Sequence, residues 1–358
     1  MMGWPRITCD LNILLENVNR LADILHAEGR HFAAVTKCVC ADAPIIDMLN
    51  KSRCDSLADA RLKNLASMKT DKPRFLIRVA QPWELPDVVR DSEMSYQSEI
   101  GTIHALGAEA ERQGKRHGVI LALDMGDLRE GCFFKNEADV MATAQAVLDE
   151  PWLELLGVGT NLGCFGGVTT TAENMNAIVE LAEKIEARFG VKLRYISGMS
   201  TAAETLLLDG GMPPRVNHAR MGEAWLVGWD SVGCKTVPGM RDDAFIFSAQ
   251  MVEIKDKDSK PTGVIGGDAF GHIIERPDLG PMRRGIVACG VQDVDRDTLM
   301  PLDHRISILG GSSDHTLLNL NRADDYRVGD IVPFKMYYAA VLRAYTSAYV
   351  EKEYVSLL

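Results

Sequence analysis

The sequence lacks three features that would each define a class of protein. No apolar run is long enough to cross a bilayer, so a membrane-spanning protein is not expected. The first twelve residues, MMGWPRITCDLN, lack the charged and then apolar order of a secretion signal, and we expect a cytoplasmic protein. Basic residues are also scarce: 39 Lys and Arg face 50 Asp and Glu, and the formal net charge of -11 argues against nucleic acid or an anionic membrane as a partner.

Paired cysteines are absent as well. The eight cysteines include no CxxC pair, and a chain of 358 residues can bury a core without disulfide staples. We therefore expect reduced thiols and no bound metal. The cysteines are Cys9, Cys38, Cys40, Cys54, Cys132, Cys164, Cys234 and Cys289.

Short apolar runs alternate with amphipathic stretches over the first two-thirds of the chain. Helical spacing of apolar residues predicts helices over 11–28, behind an N-cap at Asp10, near 42–50, over 135–149 and over 173–188. The predicted strands cover residues 31–37, 55–58, 74–79, 94–98, 118–126, 153–161, 192–200 and 216–222. This rhythm is typical of a (β/α)8 TIM barrel, which we assign to residues 1–232.

The pattern changes after Gly233. Segments such as AFIFSAQMVEIK, RRGIVACGV and DIVPFKM alternate apolar and polar residues, and helical periodicity is weak from there to the last residue. We therefore predict an α/β protein in which an all-β domain, residues 233–358, follows the barrel.

The first predicted barrel strand ends on an unexpected residue. The apolar run HFAAV leads into Thr36 and then Lys37. Because chemistry in such barrels lies at the carboxyl ends of the strands, the Lys37 amine is expected at the barrel mouth. Apolar neighbours there would lower its pKa and make it nucleophilic toward carbonyl groups. The alternative is a lysine that lies along the rim with its amine in water.

Two later strands end in segments suited to binding phosphate. MSTAAE and RMGEA follow the seventh and eighth strands, the usual phosphate position in these barrels. Ser200, Thr201 and the backbone N–H groups of Met221 and Gly222 are the candidate ligands, although the two hydroxyl residues can equally be helix caps. A reactive lysine facing a phosphate pocket predicts pyridoxal 5'-phosphate (PLP) held as a Schiff base.

In their order and spacing, these segments resemble the alanine-racemase-like PLP enzymes, which pair an N-terminal barrel with a C-terminal β-domain. The resemblance covers nearly the whole chain and is strongest toward racemases of ornithine. It is carried by RITCDLNILLENVNRL, AVTKCV, LDMGDLREGCF, GVGTNLGCFGG, NHARMGEA and GGSSDH.

The resemblance implies roles for individual residues. Lys37 corresponds to the lysine that binds PLP and acts as acid and base on one face of the substrate Cα. Arg129 is implied to line the site and contact the substrate. The implied cofactor contacts are Asn161, Ser200, Thr201, Arg220, Gly222 and Tyr338, with Tyr337 as the competitor of Tyr338.

Arg220 decides which reaction the resemblance favours. A guanidinium is always protonated and only donates hydrogen bonds, so a pyridine nitrogen facing it stays an unprotonated acceptor. The ring is then a weaker electron sink, which suits removal and return of the α-proton. Related decarboxylases carry a glutamate at this position. We therefore expect a PLP-dependent racemase; a decarboxylase of the same fold and a non-catalytic PLP-binding protein are the alternatives.

The proton donor for the opposite face of Cα is missing from its usual position. In the segment DAFGH, Phe270 stands where alanine racemases carry a tyrosine, and phenylalanine cannot move a proton. The candidate substitutes are His272, Cys289, Ser313 and His315.

The segment GGSSDH suggests the substrate class. By resemblance, Ser313 and Asp314 contribute to the substrate pocket, and the Asp314 carboxylate would hold the distal ammonium of ornithine or lysine. An aspartate in a surface turn is the alternative. Because this segment completes the neighbouring subunit's site in the family, a head-to-tail homodimer with shared active sites is expected.

Overall fold

The computed structural model describes residues 3–268, 270–273 and 277–355 of the chain. The chain divides into two compact units. The first, here the barrel unit, comprises residues 14–241; the second, the β unit, comprises residues 1–13 and 242–358. None of the helices described combines the length and the apolar content needed to cross a bilayer.

Strands and helices are numbered in chain order. The strands are β1 Arg6–Asp10, β2 His31–Val35, β3 Ser56–Asp59, β4 Arg74–Leu76, β5 Met94–Gln97, β6 His117–Asp124, β7 Cys132–Phe133, β8 Leu153–Gly159, β9 Tyr195–Ser197, β10 His218–Met221, β11 Trp229–Asp230, β12 Lys235–Thr236, β13 Phe245–Asp258, β14 Pro281–Val287, β15 Leu299–Pro301, β16 Ser307–Gly311, β17 Thr316–Asn319, β18 Ile331–Met336 and β19 Glu351–Val355. The helices are α1 Leu11–Ala27, α2 Ala43–Lys51, α3 Leu62–Ser67, α4 Leu85–Asp91, α5 Ile100–Gln113, α6 Glu137–Leu148, α7 Ala172–Phe189, α8 Glu204–Leu208, α9 Glu223–Val227 and α10 Tyr338–Thr346.

The barrel unit is built on parallel strands in the order β10-β2-β3-β4-β5-β6-β8-β9. The two ends of this series meet, because Met199 and Ala219 form a parallel bridge and the Arg220 N–H donates to the Met199 carbonyl over 2.8 Å. The sheet therefore closes on itself. The predicted (β/α)8 barrel is confirmed, and each predicted strand overlaps a strand of this series.

Side chains from alternate strand positions fill the barrel interior. Along β2, Ala33 and Val35 point into this core, where they pack with residues of five other strands. The shared core consists of Ala33, Val35, Ala58, Phe75, Met94, Tyr96, Ile120, Ala122 and Tyr195. This alternation fixes which residues just beyond each strand face the barrel mouth.

The β unit includes the first strand of the chain. Its antiparallel sheet runs β15-β18-β13-β14-β17-β16. Strand β1 pairs antiparallel with β13 and parallel with β19, and its Ile7 and Cys9 are fully buried. The sequence-based boundaries, 1–232 and 233–358, assigned these first residues to the barrel. The structure instead divides the chain after residues 13 and 241, because the backbone partners of β1 are β13 and β19, which both belong to the β unit.

The β unit also contains a helix that the sequence analysis did not anticipate. Helix α10 occupies Tyr338–Thr346, in a region for which only strands were expected. Its buried residues Ala340, Val341, Ala344 and Tyr345 recur at helical spacing, so one apolar face holds it against the unit.

Candidate active site

Lys37 directly continues the inward-facing series of strand β2. The strand ends at Val35, Thr36 is fully buried, and a single 3-10 turn spans Lys37–Val39. The Thr36 hydroxyl donates to the Asp59 carboxylate over 2.7 Å, which ties this turn to the next strand. Lys37 is thereby held at the carboxyl end of the barrel, as predicted.

The surroundings of Lys37 differ from the expectation. Its side chain is exposed, whereas Thr36 before it and Cys38 and Val39 after it are buried. Lys37 acts on the half-buried carboxyl of Glu223, whose pKa is raised by burial and lowered in part by the Lys37 charge. The amine is thus accessible at the mouth.

Arg220 lies on the adjacent strand and is only 4% exposed. Its Nε donates to Ser197 Oγ over 2.8 Å, Nη2 donates to the carbonyls of Thr160 and Ser197, and Nη1 donates to Asn161 Oδ1 over 2.5 Å. These bonds use four of the five guanidinium hydrogens, which leaves one Nη1 hydrogen without an acceptor among the described residues.

Aromatic and imidazole groups fix the guanidinium further. The Tyr96 ring lies 5.0 Å from the Arg220 Cζ, measured to the ring centroid, in a cation–π arrangement. Ser197 Oγ accepts from Arg220 and lies 2.6 Å from His218 Nδ1. Burial, together with the Arg220 charge, holds the pKa of His218 well below its ordinary value. His218 therefore stays neutral and can accept the Ser197 hydroxyl proton as a hydrogen bond.

The two sequence segments proposed for phosphate meet at one end of the barrel. Ser200 precedes a 3-10 turn, Thr201–Ala203, and Gly222 precedes α9. The Ala224 N–H donates to Thr201 Oγ1 over 3.2 Å, which joins the two segments. A Cβ at Gly222 would lie 3.2 Å from the Val35 carbonyl oxygen, so the glycine permits β10 to approach the end of β2 closely.

These residues fit PLP at both ends of the cofactor. The remaining Nη1 hydrogen of Arg220 suits the pyridine nitrogen, which must then be an unprotonated acceptor. Hydroxyls at Ser200 and Thr201, and the free N–H groups expected at two helical starts, suit a phosphate dianion. Lys37 supplies an accessible amine on the strand next to Arg220.

Asp127 is a component that the sequence analysis missed. It is fully buried, and its two carboxylate oxygens accept the N–H groups of Gly163, Cys164, Phe165 and Val168 over 2.8–3.1 Å. Burial opposes its charge, but these bonds prevail and lower its pKa. The carboxylate therefore fixes the loop that follows Asn161. The signal was the acidic residue in the quoted motif LDMGDLREGCF, whose partners only folding reveals.

Apart from Arg129, which belongs to the barrel unit, the remaining predicted residues belong to the β unit. Asp314 is exposed and accepts hydrogen bonds from Ser312 and Ser313, while its Oδ1 lies 3.1 Å from His315 Nδ1. The Ser312 hydrogen bond is the largest cause of its lowered pKa, so Asp314 stays a carboxylate.

The candidate proton donors differ in exposure. Phe270 and His272 are both exposed, and His272 lies 3.7 Å from the Asp268 carboxylate. Cys289 is buried, and burial raises the pKa of its thiol to about 12.

Two tyrosines begin helix α10. Tyr337 is its N-cap residue and Tyr338 its first helical residue. The Lys335 ammonium lies 5.5 Å from the Tyr337 ring centroid. Which tyrosine contacts phosphate stays a prediction. In the described ranges, no cluster of three or more His, Cys, Asp or Glu side chains is arranged to hold a metal ion.

A closed barrel with a lysine and a buried arginine on adjacent strands, beside phosphate-type donors, defines a PLP-binding barrel protein. The chain belongs to the family described as alanine racemase, N-terminal domain, which matches residues 9–228. This membership confirms PLP as the cofactor and the resemblance noted from the motifs.

Known relatives extend the comparison over the whole chain. An ornithine racemase of Acetoanaerobium sticklandii is 36% identical over 98% of this chain and 99% of its own length. A lysine racemase of Thermotoga maritima is 31% identical over 99% of both chains. The solved alanine racemase of Streptomyces lavendulae superposes with a TM-score of 0.76 at 16% identity, covering 100% of this chain and 99% of that one, and shows the fold alone.

Proposed function

We propose that this protein is a PLP-dependent racemase of a basic amino acid, with ornithine as the first candidate substrate and lysine as the second. The observation that carries the proposal is Arg220, buried and supplied with four hydrogen bonds at the ring end of the site. The two curated relatives named as racemases of ornithine and lysine support this substrate class.

Each predicted site residue of the barrel unit has a definable task in the proposed reaction. When bound, PLP withdraws electrons from the bonds to the substrate Cα. Arg220 would donate to the ring nitrogen and keep it unprotonated, which would limit that withdrawal and favour proton exchange over decarboxylation. Ser200, Thr201 and Gly222 would hold the phosphate, with Tyr338 as a further phosphate contact. Asn161 holds the Arg220 side chain.

Lys37 is the residue that would hold the cofactor covalently and then carry the Cα proton on one face. Its accessibility suits this double task, because an amine that changes partners during turnover must move freely. Proton transfer on the other face needs a second acid. We assign it to an exposed group such as His272 or His315, since the buried Cys289 thiol lies away from solvent and is reluctant to ionise.

Substrate recognition is assigned to charged residues. Arg129 suits the substrate carboxylate, and Asp314, with Ser313 beside it, suits the distal ammonium. Alanine has no distal ammonium to pair with the Asp314 carboxylate, so it should bind less well than ornithine or lysine. We further propose a head-to-tail homodimer in which the segment with Ser313 and Asp314 serves the partner's site. We also propose a cytoplasmic location, with which eight cysteines outside any disulfide are consistent.

Separate incubations with L-ornithine, L-lysine and L-alanine test the substrate class, with optical rotation as the measurement. Rotation should decay toward zero fastest for ornithine, then lysine, while total amino acid stays constant. Preferred turnover of alanine would refute the role of Asp314. Release of carbon dioxide would instead indicate a decarboxylase, and cofactor binding with no turnover of any amino acid would indicate a non-catalytic PLP-binding protein.

A further inference from the structure

A chain of hydrogen bonds connects the two arginines of the site. Asn161 Nδ2 donates to Glu130 Oε1 over 2.7 Å, and Asn161 Oδ1 accepts from Arg220 Nη1 over 2.5 Å. A carboxylate only accepts and a guanidinium only donates, so the two partners together permit one orientation of the amide. Arg220 requires the amide oxygen of Asn161, and Glu130 holds the amide in that orientation from the other side.

The same carboxylate also holds Arg129. Arg129 donates from Nε to Glu130 Oε2 and from Nη2 to Oε1, a bidentate pair. Oε1 of Glu130 is therefore shared between Arg129 and Asn161. Both Arg129 and Glu130 line a cavity of about 500 Å³ together with Glu99 and Asp139.

We propose that Glu130 is a positioning residue that sets both arginines, Arg220 through the Asn161 amide and Arg129 directly. The inference rests on the proposed function, because that function gives the two arginines their tasks. Glu130 itself touches neither cofactor nor substrate in this account. The contact of Arg220 with the cofactor ring and the contact of Arg129 with the substrate carboxylate would therefore both depend on the Glu130 side chain.

A simple surface ion pair is the alternative reading of Glu130. Neighbouring residues in sequence often pair with little energetic consequence, particularly where both are partly exposed, and the two side chains are 34% and 23% exposed. The bond from Asn161 separates the two explanations, since an ion pair alone predicts no effect of Glu130 on PLP binding. Glu130→Gln replaces the charged acceptor of Asn161 Nδ2 with a neutral amide, which weakens the bond that holds Asn161 against Arg220.

The test compares PLP dissociation constants of the apo-proteins, measured by equilibrium dialysis, for Glu130→Gln, Asn161→Ala and the double variant. Each single variant should weaken PLP binding about tenfold, and the double variant should be no weaker than Asn161→Ala alone, because both changes break the same chain. Glu99→Gln is the matched control, a carboxylate of the same cavity without this connection, and should bind PLP like the wild type.

Steady-state kinetics tests the second part of the proposal, the effect of Glu130 on Arg129. Glu130→Gln should raise the KM for the amino acid as Arg129→Ala does, whereas Asn161→Ala should leave that KM nearly unchanged and change the visible absorbance of bound PLP. If Glu130→Gln binds PLP and substrate as Glu99→Gln does, the proposal is wrong. If the double variant shows the product of the two single effects, Glu130 does not act through Asn161.

Two further measurements keep these outcomes decisive. Thermal unfolding of every variant checks that the fold is intact; if Glu130→Gln does not fold, Glu130→Asp, which keeps the charge but shortens its reach, should show the same pattern with smaller changes, and wild-type behaviour of that variant would contradict the proposal. If wild type binds PLP but racemises no amino acid, the proposed function fails while the dialysis result still decides the role of Glu130.

Discussion

Arg220 lies on β10 and Lys37 lies just beyond the neighbouring strand β2, yet the two side chains differ in exposure and in hydrogen bonding. Arg220 is 4% exposed and bonded through four hydrogens, with a tyrosine ring against its guanidinium. Lys37 is exposed on a single turn beyond the strand. In our proposal, the fold fixes in advance the group that would set the electronics of the cofactor, and it leaves accessible the group that would exchange partners.

Replacing Lys37 gives the largest expected loss of activity. Lys37→Ala should lower racemisation by about a thousandfold, because it removes both the covalent attachment and a proton carrier. The free energy of unfolding of the apo-protein should change by less than about 0.5 kcal/mol, since an exposed side chain is removed. Optical rotation and urea unfolding measure the two effects. A large loss of stability would contradict the accessible state of Lys37.

Replacing Arg220 should show the reverse pattern. Arg220→Gln removes most of its hydrogen bonds, including the guanidinium donors to the buried Thr160 carbonyl and Ser197 hydroxyl, so the free energy of unfolding of the apo-protein should fall by about 2–4 kcal/mol. Activity should also fall, but less than in Lys37→Ala. Equal stability of the Arg220→Gln and Lys37→Ala variants in urea would contradict the expected contrast between a buried, bonded Arg220 and an exposed Lys37.

Low pH should lower the stability of the barrel unit because two of its histidines are buried and neutral. Burial lowers the pKa of His117 to about 3, and it lowers that of His218 as well. Below about pH 6.5, each imidazole is protonated in the unfolded chain but stays neutral in the folded chain. Each histidine therefore lowers the free energy of unfolding by about 1.4 kcal/mol per pH unit. His117→Gln should halve this contribution between pH 6 and 5 in urea unfolding. An unchanged slope would show that His117 is not held neutral.

The smallest expected effect is at Phe270, which is 41% exposed in the β unit. Phe270→Tyr restores the residue that alanine racemases carry, and we expect less than about a twofold gain in rate, because another group already returns the proton. Phe270→Leu is the control for the change in packing. A large rise in rate would show that this position remains the proton donor.

The sequence predicted the barrel well because each strand is a short buried run closed by a distinct turn. The position of Lys37 just beyond the end of β2 and the position of Arg220 on β10 followed from that pattern and from the family motifs. The place of β1 could not be predicted, since its partners β13 and β19 lie more than two hundred residues away in sequence. Helix α10 was missed because nine residues carry little periodic signal.

Two site features also depend on tertiary contacts. Asn161 and Glu130 are 31 positions apart and meet only when β6 and β8 pair. The four N–H groups around Asp127 come from a loop whose conformation no local sequence pattern predicts. Accessibility of Lys37 was predicted wrongly for a related reason: the strand pattern gives the direction of a side chain, but where burial stops depends on the surrounding loops.

The central claim is that the Lys37 amine holds PLP beside Arg220. Borohydride reduction of the PLP-loaded wild type, followed by proteolysis and peptide mass spectrometry, tests it most directly. We predict a pyridoxyl group on the peptide containing Lys37 and its loss in Lys37→Ala. A label on a different lysine, or no label on protein that has been saturated with PLP, would contradict the account.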